Sequence, residues 1–397
     1  MLVTIDLTAV MSRASGTHRH ATTPKRPSDR GFVSAPASSC PPINNALPGM
    51  PAVIDPCNVY AADGVGDLSA AAQVARPLIY VPNGLSDTVD EIDPTTYRVV
   101  RTFATGLLPQ HVVPSWDLKT LWVTNAQGNS LTPVDPVTGD PGTPVPVEDP
   151  YNLYFTPDGR YAIVVAEALR RLDFRDPHSM ALVHSLPVPC PGVDHMDFSA
   201  NGTYLIASCE FANRMIKVNV VTQSVDGVLT LPAGSVPQDV KLSPDGTVFY
   251  VADMKANGLW EIDGDTLQEI GFLPTGKGAH GLYVSRDGKD LYVSNRDAGT
   301  ISVVDFATRT VVATWALPPE TGARLGNGTN LASPDMGGVS ADGRVFWLSG
   351  RYDSDVYAID TSTGQQIARI PVGDGPHGVC VWPQPGRYSL GHTGILR

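Results

Sequence analysis

The chain has 397 residues, of which 42% are hydrophobic and only 17% charged, and its 38 glycines and 35 prolines predict frequent turns with little long helix. Its 40 acidic and 28 basic residues give a formal net charge of −12. This balance argues against nucleic acid and anionic membranes as partners, because both attract basic surfaces. No run of about 18 apolar residues occurs, so no membrane-spanning segment is expected.

The first 50 residues differ in composition from the rest of the chain. Residues 12–42 are rich in Ser, Thr, Pro, Arg and Ala and show no apolar periodicity. This predicts a flexible leader over 1–50 and a connecting segment over 51–75. Residues 1–11 are apolar but interrupted by Asp6, and the basic residues follow them, so no clear cleavable signal peptide is visible.

A repeat of about 42 residues follows the connecting segment. Seven apolar segments, among them LIYVPN, LWVTN, FYVADM and LYVSN, align on the anchors Tyr80, Trp122, Ile163, Ile206, Tyr250, Tyr292 and Trp347, which are 42, 41, 43, 44, 42 and 55 residues apart. Five anchors follow a turn glycine by four residues, as in a hairpin: Gly159, Gly202, Gly246, Gly288 and Gly343. Third and fourth strands follow each anchor, and four short strands per repeat are typical of a propeller blade.

The repeat therefore predicts an all-β, seven-bladed β-propeller over residues 76–386. The first anchor lacks a preceding strand, but the segment GPHGVCVWPQPG from Gly375 to Gly386 resembles one. We expect this C-terminal strand to complete blade one and close the ring, which removes exposed sheet edges. An open β-solenoid is the alternative. The tail over 387–397 resembles a further strand that has no place in the ring.

The chain has five cysteines. Cys40 and Cys57 flank the end of the leader and could pair, and Cys190 and Cys209 fall in neighbouring loops and could also pair. Cys380 lies in a predicted strand, as a small buried hydrophobe. Five free thiols are the alternative. No C-x-x-C-H motif occurs, which excludes covalently attached haem c.

Histidines recur at one position of the repeat, where the first strand of each blade enters the central channel. The residue seven before each turn glycine, or its counterpart, forms a ring of equivalent positions that includes His111, His195 and Asp239. The residue just before that position is His280, Asp335 or His377 in three other blades. Converging imidazoles suit a transition metal, so the four histidines are predicted metal ligands. The two aspartates are predicted to act as a base or to orient a ring nitrogen. The alternative is that these histidines bond to backbone or channel water.

The ends of the second strands should surround the same opening. They carry a polar rim that could bind a substrate, and its charged members are Glu167, Glu210, Asp253 and Arg351. Ordinary solvation of loops is the alternative interpretation.

The segments LWVTN, LYVSN and FYVAD, each in a repeat with an S-P-D-G-like turn, resemble the YVTN family of β-propeller repeat proteins over about residues 76–386. The same blade type occurs in nitrous oxide reductase, the heavy chain of methylamine dehydrogenase and lactonase-type propellers. The resemblance implies an extracytoplasmic location, and it implies copper as the first metal, with zinc or iron next, because nitrous oxide reductase ligates copper with histidines at its propeller mouth. Only four histidines occupy the ring here and no cupredoxin domain follows, so nitrous oxide reduction itself is not expected.

Three functions remain open from the sequence. The first is a metal-dependent, copper-like oxidoreductase that acts on a small molecule at the channel mouth. The second is a non-catalytic module that binds a protein or glycan partner on the propeller face, and the third is a lactonase-like hydrolase. A monomer is expected in each case.

Overall fold

The computed structural model describes residues 40, 42–319, 331–392 and 394–397. The predicted leader lies outside the described residues except for residues 40 and 42–50. Within the described ranges, no helix combines the length and the apolar character that a membrane crossing requires.

Seven antiparallel sheets form the seven blades of a β-propeller, as the repeat predicts. The strands of blades one to three are β1 (Leu78–Asn83), β2 (Thr88–Asp93) and β3 (Arg98–Ala104); β4 (Pro109–Pro114), β5 (Leu121–Asn125), β6 (Ser130–Val134) and β7 (Val145–Pro146); β8 (Pro150–Phe155), β9 (Ala162–Ala166), β10 (Arg171–Arg175) and β11 (Leu182–Pro187). Those of blades four and five are β12 (Val193–Phe198), β13 (Tyr204–Cys209), β14 (Arg214–Asn219) and β15 (Ser224–Thr230); β16 (Pro237–Leu242), β17 (Phe249–Asp253), β18 (Gly258–Asp263) and β19 (Gln268–Pro274). Those of blades six and seven are β20 (Ala279–Val284), β21 (Asp290–Asn295), β22 (Thr300–Asp305) and β23 (Thr310–Ala316); β24 (Pro334–Val339), β25 (Val345–Gly350), β26 (Asp355–Asp360) and β27 (Gln366–Pro371).

Three short strands follow the last blade: β28 (Cys380–Trp382), β29 (Ser389–Gly391) and β30 (Ile395–Leu396). Strand β28 pairs with β1, with Leu78 opposite Trp382 and Tyr80 opposite Cys380. The predicted closure of blade one by the C-terminal strand is therefore confirmed. Helix in the described residues is confined to the single turn α1 (Ala70–Gln73) and a 3₁₀ turn at Glu210–Ala212.

The core lies between neighbouring blades. The second strands are buried except for the first residue of β13, β21 and β25, whereas fourth strands such as β3 alternate between exposed and half-buried residues because they form the outer edge of the ring. Between blades one and two, for example, Tyr80, Val112, Val123, Cys380 and Trp382 form one apolar cluster. Each blade thus covers its neighbour, which explains why the repeat must close into a ring.

A β-bulge near the start of the first strand sets the direction of the channel residues. The register shifts at this point in all of blades two to seven. In blades two and four a second-strand hydroxyl holds the bulge open, since Thr124 accepts the amide of His111 at 3.0 Å and Ser208 accepts that of His195 at 3.1 Å. Bulges re-aim side chains next to functional sites, and here they turn imidazoles toward the propeller axis.

The residue that ends the second strand fastens that strand to the third one. Asn125 donates to the hydroxyls of Ser130 at 3.1 Å and Thr132 at 3.0 Å. Asn83 and Asn295 make the equivalent pair of bonds five and seven residues onward. The asparagine of the repeat is therefore a scaffold residue.

The segment over residues 42–75 packs on the ring at the face opposite the channel mouth. The amide of Leu47 donates to the carbonyl of Asn201, the amide of Val59 donates to that of Pro244, and the Tyr60 hydroxyl donates to Leu242 at 2.7 Å. Leu47 is buried, so residues of the predicted leader before the boundary at 50 belong to the packed structure.

The cysteines form both of the pairs that their positions allow. Cys40 is bonded to Cys57, and Cys190 is bonded to Cys209. Cys380 is a buried thiol in β28, as predicted.

Candidate metal centre in the propeller channel

Five histidines and one aspartate meet on the propeller axis and are called the axial cluster here: His111, His195, His280, His377, His392 and Asp335. The ring centres of His111 lie 4.8 Å from His377, 5.2 Å from His392 and 5.5 Å from His195. All five histidines are at most 3% exposed. The four ring histidines predicted from the repeat therefore do come together, and they lie inside the channel rather than at its surface.

The fifth imidazole comes from the C-terminal tail. Strands β29 and β30 form a hairpin that pairs with the inner edge of blade three, with Gly391 opposite Tyr154. The amide of His392 donates to the carbonyl of Leu153 at 2.8 Å, which fixes His392 at the tip of this hairpin. The tail had no place in the predicted ring. It enters the channel from the face opposite the mouth and supplies a side chain to the cluster.

Asn152 links two of the imidazoles. Its amide nitrogen lies 3.2 Å from Nδ1 of His195 and 3.0 Å from Nδ1 of His392. Its amide oxygen accepts the backbone N–H of Leu153 at 2.8 Å, which fixes the orientation of the side chain. Asn152 occupies the ring position of blade three, so the repeat places it there as it places His195 in blade four.

Asp335 contacts the other side of the cluster. Its Oδ1 lies 3.0 Å from Nδ1 of His280 and 2.6 Å from Nη2 of Arg296, and its Oδ2 lies 3.5 Å from Nε2 of His377. Burial alone would lower the pKa of Arg296, but Asp335 outweighs this effect and raises it. The predicted role of Asp335 as an orienting partner of imidazoles agrees with this geometry.

Asp239 is placed differently. Its two oxygens accept the amides of Val240 and Leu282, both at 2.8 Å, so that it ties blade five to blade six. Burial raises its pKa to about 6, and its Oδ2 is 3.8 Å from Nε2 of His392. Both oxygens are occupied by backbone donors, which favours a positioning role over the predicted role of base.

The electrostatics of the channel follow from burial. Loss of water lowers the pKa of His195 to about 3 and those of His111, His280, His377 and His392 well below the usual 6.5, so the imidazoles are neutral at pH 7. Neutral imidazole is the form that binds metals.

Several polar atoms in the cluster make no hydrogen bond although they are buried. Among the described residues, neither ring nitrogen of His111 has a hydrogen-bonding partner, and the same holds for Nδ1 of His377 and Nε2 of His392. Buried polar atoms are normally paired, and unpaired ones cost free energy. Two groups could place three donor atoms within 4.8 Å of one another: His111, His195 and His392 form one, and His280, Asp335 and His377 form the other.

Glycine makes room for one of these imidazoles. A Cβ atom added to Gly378 would lie 2.0 Å from Nδ1 of His111. Blade one therefore needs glycine at its ring position, so that the histidine of blade two can lie across it.

The mouth of the channel carries three of the four predicted rim residues. Glu167, Glu210 and Arg351 are half-buried there, beside Tyr151, whose ring centre lies 5.5 Å from that of His111. Burial, and then repulsion from Glu210 and Asp149, raise the pKa of Glu167 to about 7. Burial also raises the pKa of Glu210 and of the neighbouring Asp194. The raised pKa values mean that protonation partly neutralises these three acidic groups at neutral pH.

Asp253, the fourth predicted rim residue, belongs to the scaffold. Its Oδ2 accepts Nε1–H of Trp260 at 2.9 Å, and its Oδ1 accepts the amides of Val236, Lys255 and Ala256. It replaces the asparagine that ends the second strand in other blades. Glu167, Glu210 and Arg351 lie one position further along, directly after the last residues of the second strands β9, β13 and β25, and this separates the mouth residues from the scaffold.

Residues 43–386 match the sequence model of the YncE-like β-propeller family. The chain belongs to this family. The match covers the blades and part of the segment before them, which agrees with the packing of Leu47 and Tyr60 on the ring. Among curated proteins, none is significantly similar to this YncE-like propeller in sequence.

Solved structures share its fold at low sequence identity. Hydrazine synthase of Kuenenia stuttgartiensis is 18% identical, with 73% of this chain and 94% of that chain covered and a TM-score of 0.58. A candidate 6-phosphogluconolactonase from Bacteroides uniformis is 19% identical, with 76% and 98% covered and a TM-score of 0.58. The dihydro-haem d1 dehydrogenase NirN is 15% identical, with 80% and 78% covered and a TM-score of 0.57. At these identities the likeness shows the fold alone.

Two residues of the YncE-like propeller's channel were not among the predicted site residues. His392 lies in the tail over 387–397, outside the repeat. A histidine in this tail was the one sequence signal that pointed to it. Arg296 follows the second-strand asparagine of blade six, and its pairing with Asp335 joins residues 39 positions apart. The exposed His178 and His184 lie at the outer strands of blade three, away from the channel.

Proposed function

We propose that the protein binds a transition metal in its channel through His111, His195 and His392, and that it is a metal-dependent oxidoreductase for a small molecule. Copper is the first candidate, and zinc or iron follow. The observation that carries the proposal is the convergence of five buried imidazoles on one axis, with ring nitrogens that have no hydrogen-bonding partner among the described residues.

The ligand chemistry supports this choice of metal. Imidazole suits copper, zinc, iron and nickel, and the first group contains three imidazoles without thiolate or carboxylate. Their lowered pKa values keep the imidazoles neutral at pH 7, which is the form that binds metals, and Asp194, whose Oδ1 lies 3.1 Å from Nε2 of His195, is buried beside them. A bound copper ion would supply one-electron redox chemistry.

The protein's own residues would select and admit the substrate. The tail hairpin and the segment over 42–75 cover the face opposite the mouth, so a ligand would approach past Tyr151 at the mouth. Glu167, Glu210 and Arg351 offer both signs of charge there, which suits a small polar molecule. The two disulfides are compatible with the expected extracytoplasmic location, because they persist in oxidising compartments.

Metal titration of protein purified without a histidine tag tests the proposal. The wild type should bind Cu(I) or Cu(II) stoichiometrically, measured by elemental analysis after removal of free metal, and the copper protein should cycle between its two oxidation states with a small-molecule oxidant and reductant. His195→Ala should lower the affinity by about tenfold to a hundredfold or more. Adding His111→Ala should cost little further, because both ligands act on one ion.

The exposed His178→Ala variant is the matched control and should bind metal like the wild type. A wild type that takes up no copper, zinc or iron would refute the metal centre and favour a protein- or glycan-binding module. Hydrolysis of a lactone panel by the metal-free protein would favour the lactonase-like alternative.

A further inference from the structure

The axial cluster contains two donor groups of different chemistry. We infer that His280, Asp335 and His377 form a second metal site, distinct from the site of His111, His195 and His392, and that the channel holds a pair of metal ions. This inference rests on the proposed function, because it extends the same cluster to a second ion. Each group can bring three donor atoms within 4.8 Å of one another, and all six residues are buried.

Asp335 is arranged to offer one oxygen. Arg296 engages only Oδ1, through Nε at 2.9 Å and Nη2 at 2.6 Å, and Nδ1 of His280 contacts the same oxygen. Oδ2 is fully buried and makes no hydrogen bond among the described residues. A carboxylate held by one oxygen with the other one free is oriented as metal ligands usually are.

The His377 imidazole of this second group faces Asp335 with its Nε2, which lies 3.5 Å from Oδ2. Its Nδ1 is buried and makes no hydrogen bond among the described residues, and Ser349 donates to the carbonyl of His377 at 2.7 Å, which fixes its backbone. His280 and His377 have ring centres 6.1 Å apart, with Asp335 in contact with both rings. Three donors from blades six, seven and one therefore lie close enough together to share one ion.

The donor sets predict different metals. Two imidazoles and one carboxylate leave open coordination positions and suit divalent iron or zinc, whereas Cu(I) prefers softer ligands than carboxylate. Zinc fits both groups, because imidazole and carboxylate are both common zinc ligands. The second site should therefore accept Zn(II) and should discriminate against Cu(I).

The two groups adjoin across the axis. His111 of the first group lies 4.8 Å from His377 of the second by ring centres, and His195 lies 6.3 Å from His280. Two ions held by these adjoining groups could act together on one small ligand, as two-metal sites do.

The test counts zinc in the metal-free full-length protein after incubation with Zn(II) and removal of the excess. The wild type should bind two ions per chain. The single variants Asp335→Asn and His377→Gln should each bind one zinc ion, at the site of His111, His195 and His392. The variant His392→Ala should also bind one, at the site of His280, Asp335 and His377. The double variant His377→Gln/His392→Ala should bind none, and His178→Ala should bind two.

Cu(I) under anaerobic conditions gives the second arm. One ion is expected in the wild type and one in Asp335→Asn, while His392→Ala should weaken Cu(I) binding by at least tenfold. Circular dichroism melting shows whether each variant is folded, and His377→Gln replaces Asp335→Asn if loss of the Arg296 partner unfolds the latter.

The outcomes separate this inference from the proposed function. A wild type that binds one zinc, which is lost both in His377→Gln and in His392→Ala, has a single shared site, which overturns the inference and leaves the metal centre in place. A wild type that binds no zinc, copper or iron refutes both.

Discussion

Glu167 at the channel mouth should destabilise the folded protein, and its replacement by glutamine should reveal by how much. Its pKa is raised to about 7 from an ordinary 4.5, chiefly because the side chain is buried. Each pKa unit corresponds to about 1.4 kcal/mol, so ionising this group in the folded state costs roughly 3 kcal/mol at pH 7.5. Because the side chain is half-buried and solvent screens it, we expect Glu167→Gln to raise the free energy of unfolding by about 1–2 kcal/mol.

The gain should depend on pH with a defined sign. The pKa is higher in the folded than in the unfolded chain, so the penalty is absent below about pH 4.5, grows as pH rises from 4.5 to 7 and is constant above that. Urea denaturation of the metal-free wild type and variant between pH 4.5 and 8 measures this difference.

Glu148→Gln is the control, because Glu148 is exposed and paired with Arg171 at 2.7 Å. An exposed ion pair contributes little, so this change should shift stability by less than about 1 kcal/mol in the opposite direction. A Glu167→Gln variant that is no more stable than the wild type at pH 7.5, or whose gain is the same at pH 5, would refute the reasoning.

Gly378→Ala should displace the His111 imidazole, since the new Cβ would lie 2.0 Å from its Nδ1, and should weaken copper binding by at least about tenfold, whereas Gly227→Ala on the outer strand of blade four should not. Asn295→Ala removes three side-chain hydrogen bonds, to Thr300, Ser302 and Thr275, and should lower the free energy of unfolding in urea by about 1–3 kcal/mol with copper content unchanged; a loss of copper would place Asn295 in the site instead. Copper affinity should stay constant between pH 7.5 and 5.5, because burial lowers the pKa of His195 to about 3 and protons do not compete in this range; a tenfold loss per pH unit below 6.5 would indicate exposed ligands.

The architecture could be predicted because one sequence pattern repeats seven times. The anchors from Tyr80 to Trp347 mark strands that are buried on both faces, and burial on both faces leaves a strong apolar signal. The ring closure followed from counting strands, since β1 lacked a partner that only the segment around Cys380 could supply. The convergence of His111 and His195 followed from their equivalent positions in the repeat.

Other features of the site lie outside the periodicity. Strand β29 has three residues and pairs with β8 some 235 positions earlier, so local sequence contains little information about its place. The sequence prediction grouped Asp253 with Glu210 as rim residues, but Asp253 is the last residue of β17 whereas Glu210 follows the end of β13, and the bond from Trp260 shows that Asp253 is part of the scaffold.

X-ray absorption of the copper-loaded wild-type protein at the copper edge tests the metal centre most directly. Ligation by His111, His195 and His392 predicts one tightly bound ion with nitrogen neighbours at about 2.0 Å and the outer-shell scattering typical of imidazole. His392→Ala should reduce the number of imidazole neighbours by one. Copper that binds in less than stoichiometric amount, or in an oxygen shell without imidazole scattering, would contradict the assignment of this channel as a metal centre.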